Sequence, residues 1–290
     1  MDELTMNYTN PDALVDAQWL ADHLNAPDVR VLDATYHLPG SERDANEEYL
    51  FRHIPGAVFF DLDDVSDTES PLPHMLPSPE KFSSRVRNMG LGDGNKIVVY
   101  DTSGGFLAAM RVWWMFRVFG HKDICVLNGG LKSWSALKLP MEQDEPVTLR
   151  KHFTASKDNT LVRDMRQMLS NIESGREQVL DARNAKRFHG EDGEPRPTKH
   201  RGHIPGSINL PFSELMEPMK GFRMRGADEI AAVFDKAGVE RGKPITATCG
   251  SGITAAVLAF ALHLIGCETV PVYDGSWAEW GNCDAPPIEA

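Results

Sequence analysis

Absences narrow this sequence before any motif does. Its longest apolar run, "ITAAVLAFALHLIG" (Ile253–Gly266), is 14 residues long and carries His263, short of the roughly 20 residues that a bilayer span needs. A basic surplus is missing too: 30 Lys and Arg face 42 Asp and Glu, for a net charge of −12. Such a chain has no excess cation to set against phosphates, so neither nucleic acid nor a membrane is an expected partner. The opening "MDELTMNYTN" lacks the apolar core of a signal peptide. Cysteine is scarce, and the four present (Cys125, Cys249, Cys267 and Cys283) show neither a metal-binding nor a disulfide spacing. A cytoplasmic location follows as the expectation. What remains is the composition of a globular protein, 41% hydrophobic and 25% charged, at a length that suits two domains.

What is there is present twice. "VRVLDATYHL" (Val29–Leu38) is echoed by "QVLDARNAKRF" (Gln178–Phe188), with Asp33 and Asp181 standing 148 positions apart. "HIPGAVFFDL" from His53 answers "HIPGSINLPF" from His203, an offset of 150. "KIVVYDTSGGFLAAM" from Lys96 answers "PITATCGSGITAAVL" from Pro244, so that Asp101 stands where Cys249 stands. "VLNGGLKSW" ending at Trp134 answers "VYDGSWAEW" ending at Trp280, an offset of 146. Four blocks in one order at nearly one offset mark a duplicated unit. The expected boundaries are a first copy over 1–142, a polar linker over 143–160 and a second copy over 161–290.

Within each copy, β-branched runs (Val29–Leu32, Lys96–Tyr100, Gln178–Leu180, Pro244–Thr248) alternate with stretches of helical period. "ADEIAAVFDKAGV" (Ala227–Val239) puts Ile230, Val233, Phe234 and Ala237 on one face, with Gly238 as terminator. Alternation of this kind predicts an α/β fold, a parallel sheet with helices on both faces, and ligands at the carboxyl ends of the strands. Cys249 falls at such an end. The glycines of "CGSGIT" let backbone amides turn inward as an anion-binding nest, and a helix start adds positive potential. Both favour thiolate over thiol. A buried structural cysteine is the other reading, and it is the one adopted for Cys125, Cys267 and Cys283. An anion-cradling loop headed by cysteine also fits a phosphatase, but that chemistry needs an arginine six positions on, where this chain has Ala255.

The "HIPG" blocks, the cysteine-headed loop and the duplication together resemble rhodanese-type sulfurtransferases, over about Val15 to Trp280. The loop "CGSGIT" with "YDGSWAEW" resembles the 3-mercaptopyruvate sulfurtransferase branch, which usually has valine at the fifth loop position, here Ile253. The resemblance implies two tandem rhodanese-like domains, the first catalytically silent because Asp101 cannot carry sulfur. It implies Cys249 as the sulfur carrier, with Gly250, Gly252, Ile253 and Thr254 forming the loop about the substrate. Arg187 and Arg196 match arginines that hold a donor's carboxylate and keto group, a task suited to a planar guanidinium. Asp63 and His74 match members of a relay with Ser251 that would reach across from the first copy. His53 and His203 read as structural. Double displacement without cofactor or metal is implied: a small-molecule sulfur donor, then a thioredoxin-like or small-thiol acceptor, or cyanide. Thiosulfate-preferring relatives carry charge within the loop, and this loop has none. A thiosulfate:cyanide sulfurtransferase and a non-enzymatic persulfide carrier remain the alternatives.

Overall fold

The computed structural model describes residues 7–103 and 108–290. The β-branched runs pair as parallel strands. In chain order the strands are β1 (Leu14–Val15), β2 (Val29–Asp33), β3 (Val58–Phe59), β4 (Lys96–Tyr100), β5 (Ile124–Leu127), β6 (Val162–Arg163), β7 (Gln178–Asp181), β8 (Ile208–Asn209), β9 (Met216–Glu217), β10 (Arg223–Met224), β11 (Ile245–Thr248) and β12 (Val272–Tyr273). One five-stranded sheet runs β1-β5-β4-β2-β3 and the other β6-β12-β11-β7-β8. The second order is the first repeated strand for strand, which is the duplication in three dimensions. β9 and β10 form a separate antiparallel ribbon. The strands expected from the sequence are present within a residue of their ends, with Val29 paired to Lys96 and Ile245 to Gln178. The two-residue strands were not anticipated, because two residues show no period.

Local chemistry explains the repeated motifs. Asp33 and Asp181 each end a strand and accept the backbone N–H two residues on, from Thr35 and Arg183, so both "LDA" segments close as Asx turns. His53 and His203 are structural, as expected. Each pairs as a β-bridge with a distant glutamate, Glu142 or Glu289, whose carboxylate also accepts the N–H of Gly56 or Gly206. The periodic stretch from Ala227 is helical to Lys236, and Gly238 ends it at φ +80°. Ile230 and Phe234 are buried, while Val233 and Ala237 pack at the margin of the core.

The two copies share one core. The helices after the two equivalent loops, Ala109–Val118 and Ala255–Leu264, are almost wholly buried, and Trp113 meets Phe260 edge-on at 4.8 Å. The apolar run that was too short for a membrane is this buried helix, and no helix among the described residues is long and apolar enough to cross one. The connecting segment is bound to the first copy: Ser156 and Asp158 donate to the carbonyls of Phe119 and Val118. Phe153 is buried against Phe82 and Phe116. At the other end, the Tyr8 hydroxyl donates to the Arg225 carbonyl at 2.6 Å, tying the start of the chain to the second copy.

Candidate active site

Cys249 follows β11 directly and is 2% exposed. The loop it heads runs through Thr254 to the helix Ala255–Leu264. Among the described residues, the backbone N–H groups of Gly250, Ser251, Gly252, Ile253 and Thr254 donate to no protein acceptor. A tight loop with its donors unspent is an anion site in waiting. The first copy shows what such a corner does with a negative charge. Asp101 there accepts N–H bonds from Ser103 at 2.8 Å, Ala108 at 3.1 Å and Ala109 at 3.0 Å.

The loop is braced from below by the repeated Trp block. Trp277 and Ala278 donate to the carbonyls of Cys249 and Gly250 at 2.9 and 2.8 Å. Ser276 Oγ accepts the Cys249 N–H at 3.3 Å. Gly252 requires its missing side chain: φ is +78°, and a Cβ would lie 2.9 Å from Arg111 Nη1 and 3.0 Å from the Asp274 carbonyl.

Over the loop lie the two arginines. A cavity of about 120 Å³ is lined by Cys249, Gly250, Ser251, Arg187, Arg196 and Tyr36, among others. Drug-sized ligands need several hundred cubic ångströms, so this one suits a molecule of a few heavy atoms. A larger open groove of about 810 Å³ around Arg163, Arg166 and Arg176 contains no cysteine. Arg187 Nε and Nη2 both donate to Glu194. Glu194 in turn accepts from the fully buried Arg183, which also pairs with Asp181. A Cβ on Gly250 would lie 2.6 Å from Arg187 Nη2, so that glycine lets the guanidinium close over the loop. Arg196 Nη2 donates to Tyr36 Oη at 2.6 Å and to His74 Nε2 at 2.8 Å. Arg187 Nη1 and Arg196 Nε and Nη1 have no partner among the described residues.

His74 is buried at φ +58°, with Nδ1 3.2 Å from Asp63 Oδ1, a contact short of a well-aligned hydrogen bond. Because a guanidinium can only donate, Nε2 must accept, and the ring proton sits on Nδ1 facing the carboxylate. Burial holds the His74 pKa below the ordinary histidine value, with Arg196 and Arg111 adding to the effect against Asp63. His74 beside Asp63 keeps that carboxyl below its usual range. The expected relay is therefore assembled at one end only. His74 and Asp63 meet, but no hydrogen bond joins Ser251 to His74 among the described residues, because Arg196 fills Nε2.

Arg111, Asp274, Glu194 and Arg183 were not foreseen. Arg111, from the first copy and fully buried, donates to the His74 carbonyl at 2.5 Å, to Asp274 Oδ1 at 2.6 Å and to the Gly252 carbonyl at 3.3 Å. Asp274 also accepts the Leu76 N–H at 2.8 Å. The second copy returns the same contact in mirror form, since Asn128, at the position equivalent to Asp274, accepts the Met224 N–H. No sequence period marks such pairs. The one signal was the repeated "NGG" and "DGS" that hold Asn128 and Asp274.

The Rhodanese-like domain family matches residues 16–137 and again 164–283. The chain is 42% identical over 273 residues to 3-mercaptopyruvate sulfurtransferase of Homo sapiens, covering 92% of this chain and 91% of that protein. It is 41% identical over 280 residues to thiosulfate sulfurtransferase of Gallus gallus, covering 95% of each. The crystal structure of SseA from Escherichia coli, described as a 3-mercaptopyruvate sulfotransferase, aligns with a TM-score of 0.83 at 40% identity, over 91% of this chain and 98% of that one. With one domain family matched twice in tandem and the cysteine-headed loop in the second match, this chain belongs to the rhodanese family, as a two-domain member related to the 3-mercaptopyruvate sulfurtransferases.

Proposed function

We propose that the protein is a sulfurtransferase that takes sulfur from 3-mercaptopyruvate onto Cys249 and passes it to a thiol acceptor or cyanide. One observation carries the choice of donor: an uncharged amide loop lies beneath two arginines that keep N–H groups free. A three-carbon keto acid fits that division, with its carboxylate and keto oxygens on Arg187 and Arg196 and its sulfur reaching Cys249. Thiosulfate, a compact dianion, would find dipoles but no cation within the loop.

The Cys249 thiolate attacks the donor sulfur. An S–S bond forms, the C–S bond breaks, and the electron pair moves onto the methylene carbon as the enolate of pyruvate. The donor's S–H proton passes through the Ser251 hydroxyl, which has no partner among the described residues, to that carbon, so pyruvate leaves and a persulfide anion remains. The loop amides stabilise that anion. In the second step an acceptor thiolate, small or thioredoxin-like, attacks the outer sulfur and the Cys249 thiolate departs. Cyanide gives thiocyanate by the same displacement. The four cysteines, all free, support a reducing cytoplasm as the working compartment.

The test sets pyruvate release from 3-mercaptopyruvate beside thiocyanate formation from thiosulfate on one preparation. The expected outcome is higher catalytic efficiency with mercaptopyruvate, one added sulfur by intact mass, and loss of both in Cys249→Ser. A ratio favouring thiosulfate would make this a thiosulfate sulfurtransferase, and a persulfide without turnover would make it a carrier.

A further inference from the structure

The donor cavity has a wall from the first copy that the mechanism leaves unused. Tyr36 lines it, three residues beyond the Asx turn at Asp33 and 160 positions from the arginine it touches. Its Oη accepts from Arg196 Nη2 at 2.6 Å, its ring meets His74 edge-on at 5.0 Å, and among the described residues its own O–H has no acceptor. A phenol that accepts from a guanidinium must aim its hydrogen elsewhere, and the polarised O–H is a stronger donor for it. Burial keeps the phenol protonated, against the opposing effect of Arg196.

We propose that Tyr36 is a substrate-recognition residue, its hydroxyl held by Arg196 and donating to an oxygen of the bound keto acid. This rests on the mercaptopyruvate reading above. The chain of donation runs from Arg196 to Tyr36 to the ligand, so the silent copy contributes a direct ligand contact as well as the His74 and Asp63 pair.

Tyr36→Phe removes only the hydroxyl and keeps the ring against His74. Loss of a neutral hydrogen bond should lower kcat/KM for 3-mercaptopyruvate about five- to tenfold. Pyruvate serves as a non-reacting probe: the concentration that half-protects Cys249 from iodoacetamide should rise by a similar factor. The alkylation rate without pyruvate and the Tm should match the wild type, as a merely structural change would not allow. Wild-type efficiency and wild-type pyruvate protection in Tyr36→Phe would overturn the inference and leave the mercaptopyruvate reading standing. A wild-type enzyme that releases no pyruvate from mercaptopyruvate would overturn both.

Discussion

Arg187 and Arg196 share a cavity but not an electrostatic situation. Arg187 gives two of its donors to the Glu194 carboxylate, so part of its charge is already answered. Arg196 gives Nη2 to the neutral acceptors Tyr36 and His74, and no carboxylate is bonded to it among the described residues. A charge-assisted hydrogen bond contributes about 1.5–3 kcal/mol. Arg196→Ala should therefore lower kcat/KM for mercaptopyruvate by roughly ten- to a hundredfold, and Arg187→Ala by less. Steady-state kinetics on the two variants decides the order, and a larger loss at Arg187 would contradict it. Cys249, Gly250 and Gly252 could be read from the sequence because strand-end and turn chemistry are local, whereas Arg187 and Arg196 were expected only from the family resemblance. Tyr36, Glu194 and Arg183 could not be read at all. Each is placed by a tertiary contact, and a single chain shows no spacing for contacts such as Tyr36 to Arg196.

The helix Ala109–Val118 follows Asp101, the residue that replaces the nucleophile, yet it carries the cation that fastens the working loop. Arg111 is fully buried, with its charge answered by Asp274 across the interface. Removing one member of a buried pair leaves the other uncompensated, at a cost of about 3–5 kcal/mol. Arg111→Ala should lower Tm by roughly 10 °C and reduce sulfur transfer besides, because the Gly252 carbonyl and the His74 segment lose their shared donor. A variant with wild-type Tm by differential scanning calorimetry would show the pair to be dispensable. At this scale the sequence was informative where period or strand composition was strong, as in Lys96–Tyr100 and Ala227–Lys236. It was silent where two residues sufficed for a strand, as in Val272–Tyr273. The apolar helix Ala255–Leu264 showed no amphipathic face because both copies pack against it.

For the whole molecule, acid is the expected weakness. His263 lies at the junction of the copies, tilted against Trp113 at 5.2 Å. Burial, with Arg117 adding and Glu268 opposing, pushes its pKa down from 6.5 to about 4. Burial also lowers His74 and His121. The sign follows from proton uptake. Well above 6.5 neither the folded nor the unfolded chain protonates these rings. Below it the unfolded chain binds protons that the folded chain refuses, so stability falls progressively as pH drops from 6.5 towards 4. Thermal melts from pH 7.5 to 4.5 should show a declining Tm, shallower in His263→Asn. A flat profile would mean that the buried rings accept protons without loss.

The cavity above Cys249, about 120 Å³, has room for one small molecule. In the double displacement proposed above, donor and acceptor never meet, and the only thing that passes between them is a single atom left on the cysteine. The second half-reaction carries no memory of the first: an acceptor cannot distinguish which donor loaded the sulfur. Donor and acceptor selectivity are decided in separate half-reactions, so each can drift without the other. A protein built this way can keep its source of sulfur while changing its destination.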